Sequence, residues 1–410
     1  MNMRFSLYLG IAMSLCVAAH VNATTTTWEG ATDEWASAGN WSDGVPDASS
    51  IAAFSDPNVD NRDVVMPGTT VNVGAIVFTS AMTDSVTISN VGANITFNLG
   101  IGTVPNGTIQ VEAGSGAHTI MTSAIMAFQV AQLNRIRNDS SNLLTLEGDF
   151  RRIGTSSSAD LQFGGSGDIL LRNSMMHQTL GTLSLASDMT GNLIVGPSTE
   201  LRPISGTTVN GGTLILDGNI STRGGNLNVN AGVLTGNGSI GIQNGTRTMG
   251  IFLNDGSIVN PGRVGETGSL SFENNPVNFA EGATIRLDLF SPADYDQLVF
   301  ARTGTATENV VPPVTFATAG SGVALELNFM DGFSANIGEQ FVILTGYDSL
   351  TGAFSGLADG STFEQNGFQF QINYGSDDTV LTVIPEPSVA GLVLLGFAGF
   401  ALARRRLRQR

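Results

Sequence analysis

Apolar residues along the chain come in short runs separated by Gly, Asn, Asp and Ser, and long stretches of helical spacing are scarce. Such runs read as strands joined by tight turns. The pattern is most regular in Thr207 to Gly241, TTVNGGTLILDGNISTRGGNLNVNAGVLTGNGSIG. There Val209-Asn-Gly-Gly-Thr-Leu-Ile-Leu216 is echoed by Leu227-Asn-Val-Asn-Ala-Gly-Val-Leu234. Each unit is a short strand, a Gly-containing corner and a second short strand. A unit this small cannot bury a core alone and must stack on its neighbours. Gly and Asn suit left-handed corners, and stacked Asn side chains can hydrogen-bond in ladders. The expected fold is therefore all-β, a parallel β-solenoid with Leu, Ile and Val turned inward.

Degenerate rungs of the same kind precede this repeat: Val71–Phe78, Val86–Asn90, Ile95–Phe97, Thr108–Val111, Leu143–Leu146 and Leu180–Leu185. Ile125, Phe128, Leu133 and Ile136 also fit a near-helical spacing, so Ile120 to Arg137 is open to a helix; its β-like flanks favour strands. From Ala283 the pattern changes to alternation, in Thr284–Leu289, Asp294–Phe300, Gln340–Leu344 and Phe368–Tyr374, as half-buried antiparallel strands alternate. The two ends differ from the body. Phe5 to Ala19 is apolar behind Arg4 and leads to Val21-Asn22-Ala23, the layout of a secretory signal with cleavage between Ala23 and Thr24, or after Ala19. Ser388 to Ala403 is uncharged and spans about 24 Å as a helix. Snorkelling side chains extend it toward the ~30 Å of a bilayer core. The five arginines that follow, Arg404, Arg405, Arg406, Arg408 and Arg410, place that end in the cytoplasm.

Composition narrows the possibilities. All 18 basic residues are Arg, and the span between leader and tail holds 12 of them against 34 acidic residues, a net charge of −22. A field of that sign disfavours nucleic acid and anionic lipid. The one cysteine, Cys16, lies in the leader, so neither a disulfide framework nor a thiolate metal site is expected in the exported body. Outside the leader the imidazoles are His118 and His177, without metal-ligand spacing. Asp294 and Asp296 flank Tyr295, weak support for acid–base chemistry. No catalytic residue, metal or cofactor is assigned.

Pro385-Glu386-Pro387, the apolar run and the Arg cluster together resemble the PEP-CTERM sorting signal of Gram-negative bacteria. The resemblance implies processing by an exosortase near the Pro-Glu-Pro, transient anchoring in the inner membrane, and release to the cell surface among exopolysaccharide-producing species. The two prolines keep this segment extended and out of neighbouring strands or helices. Thr207 to Gly262 resembles the autotransporter-associated β-strand repeat, which implies a right-handed β-helix. The opening segment with Trp28, Trp35 and Trp41 is similar to the start of many repeat-bearing PEP-CTERM proteins. These tryptophans are read as a cap over the open end of the solenoid, with glycan stacking as the sharper alternative. The last module resembles one that follows such repeats, although Gly375–Val380 departs from the family's Gly-rich sequence; Asp377 and Asp378 are read as turn residues. The expected organisation is a signal peptide (1–23) with its helix, a cap and degenerate rungs (24–205), the repeat (206–262), a C-terminal β module (263–384) and a sorting segment with a transmembrane helix (385–410). The expected function is a non-enzymatic surface or matrix protein. A carbohydrate-binding module and, behind it, a β-helix polysaccharide lyase are the alternatives.

Overall fold

In a computed structural model, the described residues are 23–386, apart from 91–95, 100–107, 130–132, 154–158, 177–179, 223–224, 243–249, 264, 304–310 and 319–321. The expected signal helix and transmembrane helix, Pro387 and the Arg cluster lie outside them. Within them the chain is all-β, with a single 3-10 turn at Ala38–Asn40. The strands wind into a three-sided coil. Its first face stacks 13 strands, from Thr24–Thr27 to Ser349–Thr351, each parallel to the next. The second and third faces repeat the arrangement. Thr213–Leu216 lies on Gly232–Gly236 and then Ser257–Pro261, while Asn219–Thr222 lies on Ser239–Ile242 and then Ser269–Glu273. The long strands His118–Gln129 and Leu144–Ile153 bend from the second face onto the third. The region open to a helix is thus strand on both sides of 130–132, His118–Gln129 and Leu133–Asn138.

Side chains one rung apart fall in columns, which explains how such short repeats hold a core. On the first face Ile136, Phe163, Leu185, Val209, Val229, Leu253, Phe279 and Phe316 are successive register partners, all buried. On the third, Ile220, Ile240, Phe272 and Phe300 continue in the same way. Each fully buried side chain contributes about 1.5–3 kcal/mol, but only because the rung above and the rung below exclude water from it.

Corners stack as the strands do. Gly236 has φ +115°, a conformation costly for residues with a Cβ, and an added Cβ would stand 2.2 Å from the Leu216 carbonyl oxygen one rung away. Asparagines form the ladder expected of them: Asn254 donates to Asn230 Oδ1 at 2.7 Å and Asn230 donates to Asn210 Oδ1 at 2.8 Å. Arginines bridge rungs on the outside, Arg172 to Glu147 at 2.9 Å and Arg137 to Asp188 at 2.7 Å. These pairs are partly exposed and contribute little individually.

The expectation of antiparallel strands from Ala283 needs correction in part. Thr284–Ser291 is parallel to Ser257–Pro261 and to Ala324–Phe329, and Gln297–Ala301 is parallel to Ser269–Glu273. Coiling therefore runs on through residue 263. Alternation misleads because a solenoid wall is one layer thick, with its outer side wet, so its parallel strands alternate as antiparallel ones do. Apart from the short pairing of Thr284–Ser291 with Asp294–Tyr295, the antiparallel ladders lie at the end. There Gln340–Thr345 pairs with Asp378–Ile384, which pairs with Phe368–Tyr374, which pairs with Thr362–Gln365. This sheet brings Phe341, Phe368 and Phe370 against Phe329 and Phe333 and closes that end of the core.

Candidate functional site

At the N-terminal end, Ala23 immediately precedes the first strand, Thr24–Thr27. The outer edge of that strand is covered at its Thr26–Thr27 end. Ser42 N donates to the Thr27 carbonyl, Thr27 N donates to Ser42 Oγ, and Trp28 bridges Trp41. An open edge invites pairing with another chain, and the covering segment occupies this one at Thr26 and Thr27. The three tryptophans are packed together beneath. Trp41 meets Trp28 and Trp35 edge-on, with centroids 4.9 Å apart in both pairs, and reaches Phe54 at 5.9 Å. Trp28 Nε1 donates to the Asn61 carbonyl and Trp41 Nε1 to that of Trp35. The rings are 0%, 1% and 3% exposed, so none offers a face on which a sugar could stack.

His118 is the imidazole whose surroundings are defined. It is buried, stacked on Phe78 with centroids 4.0 Å apart, and burial lowers its pKa to about 4. Val86 N–H donates to its Nδ1 at 3.1 Å, which leaves the proton on Nε2, 2.8 Å from Ser115 Oγ. Ser115 in turn donates to the Met82 carbonyl. A serine and a histidine in contact suggest a nucleophile and its base. Here no carboxylate orients the ring, because a backbone amide occupies Nδ1, and both groups are sealed from solvent. The arrangement ties the corner at Met82–Val86 to the corner at Ser115–His118 on the next rung.

A second polar cluster gathers residues far apart in sequence. A recess of 370 Å³ is lined by Asn260, Gly265, Arg286, Asp288, Glu326, Leu327 and Asn328. Beneath it Asp296, fully buried, accepts from Gly268 N at 2.7 Å, Asp288 N at 2.8 Å and Asn260 Nδ2 at 3.4 Å. Burial pushes its carboxyl up to about 8, against these backbone N–H groups, which pull it down. Asp288 accepts from Asn328 Nδ2 at 2.8 Å, and Arg286 pairs with Glu326 at 2.8 Å across the wall. Asp288 and Asp296 are thus satisfied inside the protein, while Arg286 and Glu326 stay partly exposed on the outer wall. Among the described residues no three His, Cys, Asp or Glu side chains are grouped to hold a metal ion. Asp294 and Asp296 do not act as a pair, since Asp294 is exposed and bonded to Thr267 while Asp296 points inward. Sequence alone offers no signal for this cluster, which joins Asn260, Asp288, Asp296 and Asn328 through the stacking of separate coils.

At the C-terminal end, the last strand closes at Ile384, and Pro385 and Glu386 follow it, both exposed. Asp377 and Asp378 lie at the turn into that strand: Gly346 N donates to the Asp377 carbonyl, and Gly375 N to that of Asp378. No described helix is long and apolar enough to cross a membrane.

Fold and geometry together define an all-β, β-solenoid-like body, with the buried indoles at one end of the described residues and the antiparallel sheet at the other. Comparison with protein-family models gives no match. Comparison with curated proteins gives none either.

Proposed function

We propose that this chain is an exported, non-enzymatic protein of the cell surface or extracellular matrix, sorted by an exosortase through its PEP-CTERM-like tail and acting as a structural or adhesive solenoid in an exopolysaccharide setting. The observation that carries the reading is the position of the Pro-Glu-Pro motif: Pro385 and Glu386 are exposed directly after the final strand of the body. Proline there cannot extend the ladder, so the segment is left accessible to a protease. The polar clusters favour a scaffold over an enzyme, because the serine–histidine contact and the Asp296 cluster serve to hold coils together. With the indoles buried, the tryptophans no longer motivate glycan stacking. Right-handed coiling, the outside location of the body and transient anchoring in the inner membrane belong to the same reading. Deleting Pro385 to Arg410 is expected to move the protein from the cell envelope to the periplasm or medium. Unchanged fractionation would sink the proposal.

A further inference from the structure

The described body exposes four large apolar side chains, Val45, Leu143, Phe290 and Ile337, and Ile337 stands apart at 68% exposed. It sits in a loop with little freedom. Phe333, at the base, lies against Phe329 with centroids 4.5 Å apart and against Phe368 at 4.9 Å. Ser334 N donates to the Phe290 carbonyl, tying the loop to another of the exposed apolar residues. Asn336 is held through its amide nitrogens by the Glu339 carboxylate. Gly338 N then donates to the Val383 carbonyl at 2.7 Å and Val383 N to that of Glu339 at 2.9 Å. This prolongs the ladder of Gln340 on Thr382 and sets Ile337 at its end, where the chain leaves the body.

The length of chain beyond that point fixes what this end can face. Residues 385–388 separate Ile384 from the apolar run that begins at Val389, and four residues span at most about 14 Å. The headgroup layer on one side of a bilayer occupies roughly 5–7 Å of that distance. Resting on the reading of Val389 to Ala403 as a membrane anchor, we infer that the Phe290 and Ile337 end of the body lies against the phospholipid surface before processing, with Ile337 entering the headgroup layer. Asp331, Glu339 and Glu386 are acidic and near this end, so the surface it fits is zwitterionic rather than anionic. A consequence is orientational. The contact would fix how the solenoid stands on its short tether and so how Pro385 and Glu386 are presented to a membrane-embedded protease.

The experiment uses the chain from Thr24 to Arg410, as the expected cleavage leaves it and without Cys16, reconstituted in phosphatidylcholine vesicles and labelled with an environment-sensitive fluorophore at Ile337→Cys or, at the far end, at exposed Ala31→Cys. Resistance to alkaline carbonate extraction reports insertion separately. The expected result is a blue-shifted Ile337 probe quenched several-fold more strongly by headgroup spin-labelled lipid than the Ala31 probe, weakening as phosphatidylglycerol is added. Inserted chain with equal quenching at both sites overturns the inference and leaves the anchor standing. Extractable chain overturns both. A blue shift that grows with protein concentration and ignores the spin label assigns the face to a second copy, and also overturns it.

Discussion

Replacing His118 tests the account of the buried imidazole most directly, because its contribution has a sign, a pH window and a magnitude. The folded protein holds the ring neutral with its pKa lowered from 6.5 to about 4, and the cause is burial. Protonation would also place a second N–H against the Val86 amide that now donates to Nδ1. The unfolded chain therefore binds a proton at a higher pH than the folded one. Stability from this source is complete above pH 6.5 and falls as the pH drops toward 4. At 1.36 kcal/mol per unit, the loss between pH 7.5 and pH 4.5 is about 2.5 kcal/mol. Urea unfolding of the wild type and His118→Gln at the two pH values isolates this figure, since every other titrating group is common to both. The wild type should lose about 2.5 kcal/mol more than the variant over that interval. The His118 Cε1 proton resonance should titrate with a midpoint about 4. A midpoint at or above 6, or equal pH dependence in the two proteins, would refute the reasoning.

Other outcomes follow from the same physics. Asp296 titrates in the opposite sense: its folded pKa is raised to about 8, so its contribution is present below the ordinary 3.8 and lost as pH rises toward 8. Asp296→Asn should accordingly flatten the decline in stability of the wild type between pH 5 and pH 8 in urea titrations. Gly236→Ala forces a Cβ against the Leu216 carbonyl at positive φ and should cost at least ~2 kcal/mol, read as a lowered unfolding midpoint. Trp41→Ala removes the ring shared by both indole pairs and should cost about 3–5 kcal/mol, with near-ultraviolet dichroism lost at that end. Asn230→Ala breaks two rungs of an exposed ladder and should cost only about 1 kcal/mol by the same unfolding assay.

Much of this architecture is legible in the order of residues. The repeated Val-Asn-Gly-Gly and Val-Asn-Ala-Gly units demand stacking, and Val209 and Val229 are indeed register partners with Asn210 and Asn230 bonded beside them. The strand character on both sides of 130–132 is readable from the flanks of Ile120 to Arg137, since helical spacing over so few apolar positions is weak beside β-like neighbours. The tryptophans are harder. Their spacing allows a cap or a sugar platform, and only the depth at which the rings sit decides between an apolar plug and an exposed face.

The composition of the rungs, the acidic and lysine-free character of the body, and the unlike ends can all be read from the chain alone, because each is a property of neighbouring residues. Which rungs lie on which is settled by the winding. Thr284–Ser291 and Gln297–Ala301 alternate like antiparallel strands yet stack in parallel on their neighbouring coils, since one wet side imposes the same alternation in either direction. Winding also settles which polar residues are buried. Asp296 looks like its exposed neighbour Asp294 in the sequence, but coils separated by tens of residues bring Asn260, Gly268 and Asp288 to it. Ile337 is one apolar residue among many until the final ladder sets it beside the chain's exit. Local pattern fixes what a strand can bury, whereas only the path of the whole coil fixes what it meets.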